Sequence, residues 1–144
     1  MYTVTEPTST SDFEKYFKLR FEVLRKPWGQ AEGSEKDDQE NESVHAMIKG
    51  EQGEALAVCR LQMNDAHTAQ VRYMGVKEGM QGKGLGKKIM NYMEGRACEK
   101  GAEKVILHAR ENAVDFYKNC GYSLVEKSYL MWGTIQHYLM EKKV

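Results

Sequence analysis

Gln81-Gly82-Lys83-Gly84-Leu85-Gly86, followed directly by Lys87 and Lys88, marks the junction around which this chain is built. It comes after an apolar run that ends at Val76 and before a segment with helical spacing, so it predicts a strand, a turn and a helix start. Glycine has no Cβ, which lets a ligand approach the backbone amides closely. A helix that begins here directs unpaired N–H groups and the positive end of its dipole at the turn. We therefore predict a phosphate site, with a surface turn carrying solvated lysines as the alternative.

Two well-known phosphate-binding loops can be tested against this segment by spacing. A Walker A loop needs Gly, four residues and then Gly-Lys-Ser/Thr, but Gln81 stands at the first position and Lys88 at the last. The dinucleotide pattern Gly-x-Gly-x-x-Gly could begin at Gly82, but Lys87 replaces its third glycine and no early βαβ unit precedes it. Neither loop therefore describes the segment.

The pattern Gln/Arg-x-x-Gly-x-Gly/Ala does fit, through Gln81, Gly84 and Gly86, and with it the chain resembles the GNAT superfamily of acyl-CoA-dependent N-acetyltransferases. A second match lies downstream, where residues 112 to 122 are similar to the family's Asn-x-x-Ala/Val-x-x-Phe-Tyr-x-x-x-Gly-Phe signature. The two matches together make the resemblance specific over residues 68 to 125. Parts of the chain outside that range also resemble the ElaA-like branch of the family.

Length and composition limit the kinds of protein this chain can be. Its 144 residues are expected to form one domain, residues 1 to 144. No apolar run approaches the roughly 18 to 20 residues of a membrane span, and the N-terminus lacks the pattern of a secretion signal, so a cytoplasmic protein without a membrane partner is expected. Three widely spaced cysteines and four scattered histidines predict neither a disulfide framework nor a metal site.

Charge is balanced in total but uneven along the chain. Basic and acidic residues number 21 each, which argues against a nucleic-acid partner. Residues 32 to 54 hold eight acids against two bases, whereas residues 77 to 104 hold seven bases against four acids. Such halves would suit a polyanionic cofactor and a cationic acceptor. Solvated loop charge is the other explanation of the acidic run.

The apolar spacing before the glycine segment predicts one helix among several strands. Thr10 or Ser11 is expected to cap this helix, which ends near Arg25. Residues 30 to 43 predict a loop with a short helical turn. Strands are predicted at residues 2–5, 44–49, 54–63 and 68–76.

After the glycine segment, a helix from Leu85 is expected to end before Gly101. A strand at 105–109 should lie parallel to the strand before the glycine segment, because a helix connects the two. A short helix capped by Asn112 and a final strand pair, residues 122–128 and 136–142, complete the chain. These elements predict an α/β (α+β) fold in which a central mixed sheet joins an antiparallel meander to a parallel strand pair, with helices on both faces.

The resemblance implies acetyl-CoA, or coenzyme A after reaction, as the co-substrate, and no metal. Its pyrophosphate would be held by backbone donors of the glycine segment, and its pantetheine arm would pair with the preceding strand as though it were an extra strand. The implied cofactor-binding residues are Met74, Gly75, Val76, Gln81, Gly82, Lys83, Gly84, Leu85, Gly86, Lys87, Asn112, Phe116 and Tyr117.

The resemblance also assigns chemistry. Tyr117 would be the catalytic acid for the departing thiolate, because tyrosine titrates near 10 and is still protonated at neutral pH. A packing role for Tyr117 and a capping role for Asn112 are the structural alternatives. Some relatives carry a glutamate base on the strand before the loop, but Gln70, Arg72 and Met74 occupy that face here.

Five residues are candidates for the acceptor side of the site: Arg20, Arg25, Trp28, His45 and His137. The two histidines could also contribute to deprotonation, although a lone histidine on a strand is more often structural. The reading that results is acetyl transfer to a primary amine, most simply that of a small molecule, by direct attack in a ternary complex. A non-catalytic acyl-CoA sensor, an acetyltransferase of protein or peptide amines, and a homodimer all remain open.

Overall fold

Seven strands form one mixed sheet in a computed structural model that describes residues 2–144. The strands are β1 (Val4–Thr5), β2 (Val44–Lys49), β3 (Ala55–Met63), β4 (Thr68–Val76), β5 (Lys104–Arg110), β6 (Ser123–Met131) and β7 (Ile135–Lys143). The helices are α1 (Thr10–Leu24), α2 (Leu85–Glu99) and α3 (Val114–Asn119). No helix within residues 2–144 combines the length and apolarity that a membrane crossing requires.

The sheet has the strand order β1-β2-β3-β4-β5-β7-β6. Strands β1 to β4 form an antiparallel meander, β4 and β5 are parallel, and β6 and β7 form a hairpin whose second strand pairs with β5. This confirms the predicted mixed sheet, including the parallel pair that the helical connection α2 requires.

Helices cover both faces of the sheet, as predicted. On one face, Tyr16 and Leu19 of α1 pack on Met47 and Val58. On the other face, apolar residues of α2 at helical spacing pack on the sheet with side chains from the α3 region: Leu85, Ile89, Met93, Ala97, Tyr117 and Tyr122. The two apolar stripes thus fix α1 and α2 on opposite sides of β3 and β4.

Helix α1 begins one or two residues earlier than predicted. Ser9, not Thr10 or Ser11, is its N-cap, and the Ser9 hydroxyl accepts a hydrogen bond from the amide of Asp12. The helix ends at Leu24, with Arg25 as C-cap, and a single helical turn at Lys26–Trp28 follows it. This ending brings the Leu24 carbonyl and Arg25 to the edge of the functional region.

Strand β4 carries a bulge at its centre. Arg60 is paired with Arg72 and Val58 with Gly75, so two residues of β4, Tyr73 and Met74, lie opposite one residue of β3. Tyr73 has φ +54°, a left-handed conformation that is uncommon for a residue with a side chain. A bulge of this kind bends the strand and redirects its side chains.

Beyond the first part of their length, β4 and β5 separate. Their pairing covers only Thr68 to Gln70 with Lys104 to Ile106. Past that point β4 continues against β3, and β5 continues against β7. Within residues 2–144, the rest of β4 therefore has no strand on its β5 side, and this separation positions the site.

Candidate active site

The glycine turn offers a row of free backbone donors. Gly82 and Gly84 have φ +80° each, the left-handed conformation that glycine adopts without strain. Gly84 is the N-cap of α2, and the first amide of this region with an internal acceptor is that of Lys88. In the described chain the six amides from Gly82 to Lys87 have no intramolecular partner. The arrangement suits an anion at a helix N-terminus.

Gln81 holds this turn to the end of β4. Its side-chain amide donates to the Val76 carbonyl at 3.3 Å, and its side-chain oxygen accepts from the Gly79 amide at 2.9 Å. Gln81 therefore fixes the conformation of the turn through these two hydrogen bonds. Lys83 and Lys87 are exposed beside the turn, whereas Lys88 donates to the carbonyl of Tyr2 at 2.6 Å.

The open edge of β4 leads from the turn toward the centre of the sheet. The amide of Lys77 donates to the Leu56 carbonyl of β3, and successive amides of a strand point to opposite edges. The Val76 amide therefore points to the open edge. Gly75 points its polar backbone groups at β3, and an added Cβ would lie 2.5 Å from Val23 of α1. Gly75 thus permits close helix packing, and the cofactor contact expected of it stays a prediction.

Phe116 connects the glycine turn to α3. A Cβ added at Gly86 would lie 2.8 Å from the Phe116 ring and 3.0 Å from the Met74 side chain. Leu85 and Gly86 are both buried, so these two turn residues pack against the core. Only their backbone amides are available to a ligand. The ring of Phe116 in turn lies 5.0 Å from that of Tyr117.

Tyr117 is buried at 7% exposure, yet its side chain lines a cavity. Burial raises the pKa of its hydroxyl far above the ordinary value of tyrosine, so the group stays protonated at neutral pH. No atom of the described chain makes a hydrogen bond to this hydroxyl. A hydroxyl that lines a cavity and has no internal partner is available to a ligand.

Asn112 does not cap α3. It lies in a helical turn at Glu111–Ala113, whereas the N-cap of α3 is Ala113 and has no side-chain hydrogen bond. The capping prediction is therefore wrong, because one further helical turn precedes the helix. The Asn112 side chain is exposed, just past the end of β5.

A cavity of about 250 Å³ occupies the space where β4 and β5 separate. Its walls come from the end of α1, from the bulged part of β4, from the second half of β5, from α3 and from the β6–β7 hairpin. Its polar lining residues are Arg25, Gln70, Arg72, Tyr73, His108, Arg110, Tyr117, Tyr129 and His137. No aspartate or glutamate is among the lining residues.

His137 lines this cavity and leaves one ring nitrogen without an internal partner. Its Nδ1 lies 3.0 Å from the Ile135 carbonyl, so Nδ1 carries the proton and Nε2 is left as an acceptor. The ring is stacked on Tyr129 with 4.3 Å between centroids. Burial lowers the pKa of His137, and burial together with the charge of Arg72 lowers the pKa of His108. Both side chains are thus neutral at pH 7.

Two of the predicted acceptor residues lie elsewhere. Arg20 is fully buried, where it contacts the Glu40 carboxylate at 2.8 Å and the Tyr16 hydroxyl at 2.9 Å. His45 uses both ring nitrogens internally, with Nδ1 2.9 Å from the Tyr16 hydroxyl and Nε2 2.7 Å from the Glu40 carbonyl. Neither residue lines the cavity. Both belong to a buried polar network beneath the acidic loop.

Two carboxylates of the acidic loop are not solvated, because they pair with internal arginines. Asp37 contacts Arg60 at 2.6 Å and Arg72 at 3.2 Å, and Glu40 contacts the buried Arg60 at 3.0 Å. Burial alone would raise the pKa of Asp37, but hydrogen bonds from Arg60 and from the Gln39 amide outweigh it and lower the pKa to about 2. These two carboxylates thus neutralise internal arginines.

Trp28 lies beside the cavity and does not line it. It is 38% exposed and lies 6.2 Å, between ring centroids, from Trp132 in the β6–β7 turn. The guanidinium of Arg110 lies 4.2 Å from the centre of the Trp28 ring. Trp28 is therefore positioned through Arg110, a residue that sequence reasoning did not select.

The sequence analysis also did not predict His108 and Tyr129 as cavity residues, and it assigned no function to Arg72. The alternation of β5 offered a signal, because His108 and Arg110 share one face of that strand while Val105, Leu107 and Ala109 are buried on the other. In residues 2–144 no three His, Cys, Asp or Glu side chains are grouped as metal ligands.

Comparison with known proteins agrees with this geometry. A sequence profile described as the acetyltransferase (GNAT) family matches residues 12–122. The uncharacterized N-acetyltransferase YjcF of Bacillus subtilis strain 168 is 32% identical over 127 residues, which cover 88% of this chain and 89% of that protein.

Solved structures share the fold. Escherichia coli ElaA superposes with a TM-score of 0.81 at 19% identity and covers 99% of this chain and 98% of its own. A GNAT family acetyltransferase from Elizabethkingia anophelis, crystallised with acetyl-CoA bound, gives a TM-score of 0.77 at 14% identity over 99% and 98% of the two chains. The profile match, the YjcF relative and the free amide turn together establish that this chain belongs to the GNAT family and is an acyl-CoA-dependent N-acetyltransferase.

Proposed function

We propose that the enzyme transfers the acetyl group of acetyl-CoA to the primary amine of a small molecule, by direct attack while both substrates are bound. One observation carries the proposal: the unpaired edge of β4 runs from the free amides of the glycine turn to the cavity that Tyr117 lines. This edge is long enough to align an amide-bearing chain between an anion site and a reaction centre.

The residues present fit coenzyme A. Six free amides and two exposed lysines suit a pyrophosphate, and the Val76 amide on the open edge suits a carbonyl of the pantetheine arm or of the thioester. Asn112, with its exposed side chain, would contact the same arm. The Elizabethkingia neighbour with bound acetyl-CoA supports this choice. When bound, acetyl-CoA supplies an activated acetyl thioester at the cavity.

Tyr117 would stabilise the departing sulfur of coenzyme A. Its hydroxyl is protonated and has no internal partner, so it can donate a hydrogen bond to a thiolate that forms beside it. In the overall reaction a C–N bond replaces the C–S bond, the amine loses a proton and the thiol gains one. Proton transfer by a positioned side chain typically contributes about 10²- to 10⁴-fold to the rate.

His137 is the acceptor that we propose for the amine proton. Its Nε2 has no internal partner, the opposite nitrogen fixes the tautomer, and the lowered pKa keeps the ring unprotonated at neutral pH. The nearby guanidinium groups assist, because a positive environment lowers the pKa of an ammonium ion and favours the free amine.

Two other functions compete with this proposal. A non-catalytic acyl-CoA sensor would keep the amide turn but would not need a free tyrosine hydroxyl and a free histidine nitrogen in one cavity. Protein or peptide amines would need an extended groove, whereas the cavity measures about 250 Å³. A small acceptor is favoured on both counts.

The experiment measures release of the coenzyme A thiol from acetyl-CoA over a panel of primary amines, with Tyr117→Phe and His137→Gln beside the native enzyme. Because the Tyr117 hydroxyl has no internal hydrogen bond, Tyr117→Phe should leave stability and coenzyme A affinity nearly unchanged while kcat falls about 100-fold or more. His137→Gln should remove the acidic limb of the pH–rate profile, which the native enzyme shows below the ordinary histidine pKa of about 6.5.

Tight coenzyme A binding without turnover of any amine would overturn the enzymatic proposal in favour of the sensor. Full activity of Tyr117→Phe would remove that residue from the mechanism.

A homodimer is a separate proposal about partners. β6 is one of the two edge strands of the sheet, and it exposes four large apolar side chains: Leu124, Val125, Tyr129 and Leu130. An edge strand of this length and apolarity is usually covered in solution.

A further inference from the structure

The arginines of the cavity point to the kind of acceptor that the enzyme takes. We propose that the cavity recognises an anionic group, a carboxylate or a phosphate, on the same small molecule that carries the amine. This inference rests on the proposed function, since it assigns the substrate class of that site. It differs from the cationic acceptor that the acidic run of the sequence suggested.

Arg25 and Arg110 differ from the other arginines in having no carboxylate partner. Arg20, Arg60, Arg72 and Arg96 each pair with at least one carboxylate. Arg25 donates to the carbonyls of Ser34 and Leu24, and Arg110 donates to the same Leu24 carbonyl at 3.0 Å. Two guanidinium groups therefore converge on one neutral oxygen at the wall of the cavity.

This convergence is unfavourable for the protein alone. Arg25 is 7% exposed, and burial lowers its pKa. Burial lowers the pKa of Arg110 too, and the charge of Arg25 lowers it further. Guanidinium is nevertheless charged at neutral pH, because its pKa starts above about 12. Two like charges, one buried and one half-buried, are thus held together without an internal counterion.

Internal contacts offset only part of this cost. Leu24 ends α1, and a helix C-terminus is equivalent to about half a negative charge, against two full positive charges. Aromatic rings add cation–π contacts, with Arg110 4.2 Å from the centre of Trp28 and Arg25 5.3 Å from that of Trp132. Such contacts orient the guanidinium groups but carry no net charge. Capping of α1 therefore does not account for both arginines.

The surroundings leave the cavity positive. Arg72 also lines it and shares the carboxylate of Asp37 with Arg60. Three guanidinium groups in this network therefore pair with only two carboxylates, those of Asp37 and Glu40; the third guanidinium is that of Arg20. The cavity wall has no acidic residue of its own. A polycationic acceptor would be repelled, whereas an anionic group would supply the missing counterion.

Geometry limits the size of the acceptor. Arg25 and Arg110 line the same cavity of about 250 Å³ as Tyr117 and His137, so the amine and the anionic group must be separated by a short chain. The planar fork of guanidinium also matches the two oxygens of a carboxylate or phosphate. A short amino acid or an aminoalkyl phosphate has these properties.

Matched pairs of amines test the inference with the native enzyme and acetyl-CoA. Gamma-aminobutyrate is compared with butylamine, phosphoethanolamine with ethanolamine, and putrescine serves as the dication. We expect kcat/KM for each anionic member to exceed that of its partner by roughly tenfold or more, the effect of one charge-assisted hydrogen bond, and we expect putrescine to be the poorest. Succinyl-CoA with butylamine tests the other source of an anionic group, the acyl chain.

Arg110→Gln should reduce the anionic preference by roughly tenfold or more. Arg96→Gln is the matched control, because Arg96 lies on α2 and pairs with Glu6 and Glu99, and it should keep the native preference. Binding without acyl-CoA gives a readout apart from turnover. The chain has two tryptophans, Trp28 and Trp132, and these contact the two arginines. Gamma-aminobutyrate should therefore change their emission, and butylamine should not.

The outcomes separate this inference from the proposed function. Equal turnover of anionic and uncharged amines would leave the function standing and overturn the anionic acceptor. A preference for succinyl-CoA without any preference among amines would overturn it as well, since the anionic group would then belong to the acyl chain. If no amine is turned over, the function fails, and the fluorescence titration alone decides: a response to gamma-aminobutyrate retains an anion site, and no response removes it.

Discussion

Gly84→Ala tests the step on which the cofactor assignment depends, namely that the glycine turn aims its amides at a phosphate. Gly84 has φ +80° and caps α2. No atom lies within 4 Å of an added Cβ, so the substitution introduces no clash. Its effect is confined to backbone strain, since a residue with a side chain disfavours this conformation by about 1–2 kcal/mol.

Gly95→Ala is the matched control in the same helix. Gly95 also has open space around an added Cβ, but its φ is not in the left-handed region. Alanine should therefore stabilise the helix by about 0.5–1 kcal/mol. The same change of one methyl group is thus expected to destabilise the protein at one position and to stabilise it at the other.

The two variants should differ more in coenzyme A affinity than in stability. If the turn relaxes out of the left-handed region at residue 84, neighbouring amides rotate away from the anion. Each hydrogen bond to a charged group contributes about 1.5–3 kcal/mol, so one lost donor weakens binding about tenfold to 100-fold. Gly95→Ala should bind as the native protein does.

Urea unfolding measures the stability of both variants, and isothermal titration with coenzyme A measures their affinity. A Gly84→Ala protein that is destabilised as expected, yet binds coenzyme A as tightly as Gly95→Ala, would refute the assignment of these amides to the phosphates.

Two further predictions concern stability and assembly. Burial lowers the pKa of His45, His108 and His137, so that below about pH 6.5 the unfolded chain takes up protons that the folded chain does not. Stability should therefore be highest above that pH and should fall as the pH decreases. Thermal unfolding at a series of pH values measures this fall, which should be smaller in His45→Asn. A pH-independent melting temperature from pH 5 to 7 would contradict this. If β6 mediates a homodimer, Val125→Lys should yield monomer in light scattering at a concentration where the native protein is dimeric, and a native monomer would contradict the proposal.

The fold could be predicted from sequence wherever local patterns fix it. The spacing of apolar residues in α2 and the turn residues between β2, β3 and β4 give boundaries within one or two residues of those observed. The predicted cap of α1 was one or two residues too late, because several adjacent hydroxyl residues satisfy the same pattern. Only the hydrogen bond from the Asp12 amide distinguishes Ser9.

The bulge at Tyr73 could not be predicted, because nothing local favours it. Tyrosine is common in regular strands and rare in the left-handed region. In the structure its ring lies among guanidinium groups, at 4.3 Å from Arg20 and 5.0 Å from both Arg60 and Arg72. Arg72 directly precedes Tyr73, whereas Arg20 and Arg60 come from α1 and β3. The unusual backbone therefore depends on tertiary contacts that no window of sequence contains.

The predicted site likewise combines features set by local sequence with features set by tertiary contacts. Motif spacing predicted roles for the turn and for Tyr117, because each belongs to a contiguous segment. It could not identify Arg110, which becomes a cavity residue only because β4 and β5 separate after three paired positions. The sequence shows only that acidic residues are concentrated in the loop. In the folded chain Asp37 and Glu40 form ion pairs with arginines from α1, β3 and β4.

The arginine-lined cavity also bears on the absence of a carboxylate base on β4. An amine must lose its proton before it attacks, and a carboxylate achieves this by accepting it. The guanidinium groups that line the cavity favour the same deprotonation in another way, because their repulsion lowers the pKa of the bound ammonium. Each unit of this pKa corresponds to about 1.4 kcal/mol. A glutamate in place of Arg72 would neutralise this field and compete with an anionic acceptor for Arg25 and Arg110. Arginine at position 72 is therefore consistent with a neutral histidine as the proton acceptor, with a positive cavity that keeps the amine free, and with a substrate whose negative group holds it there.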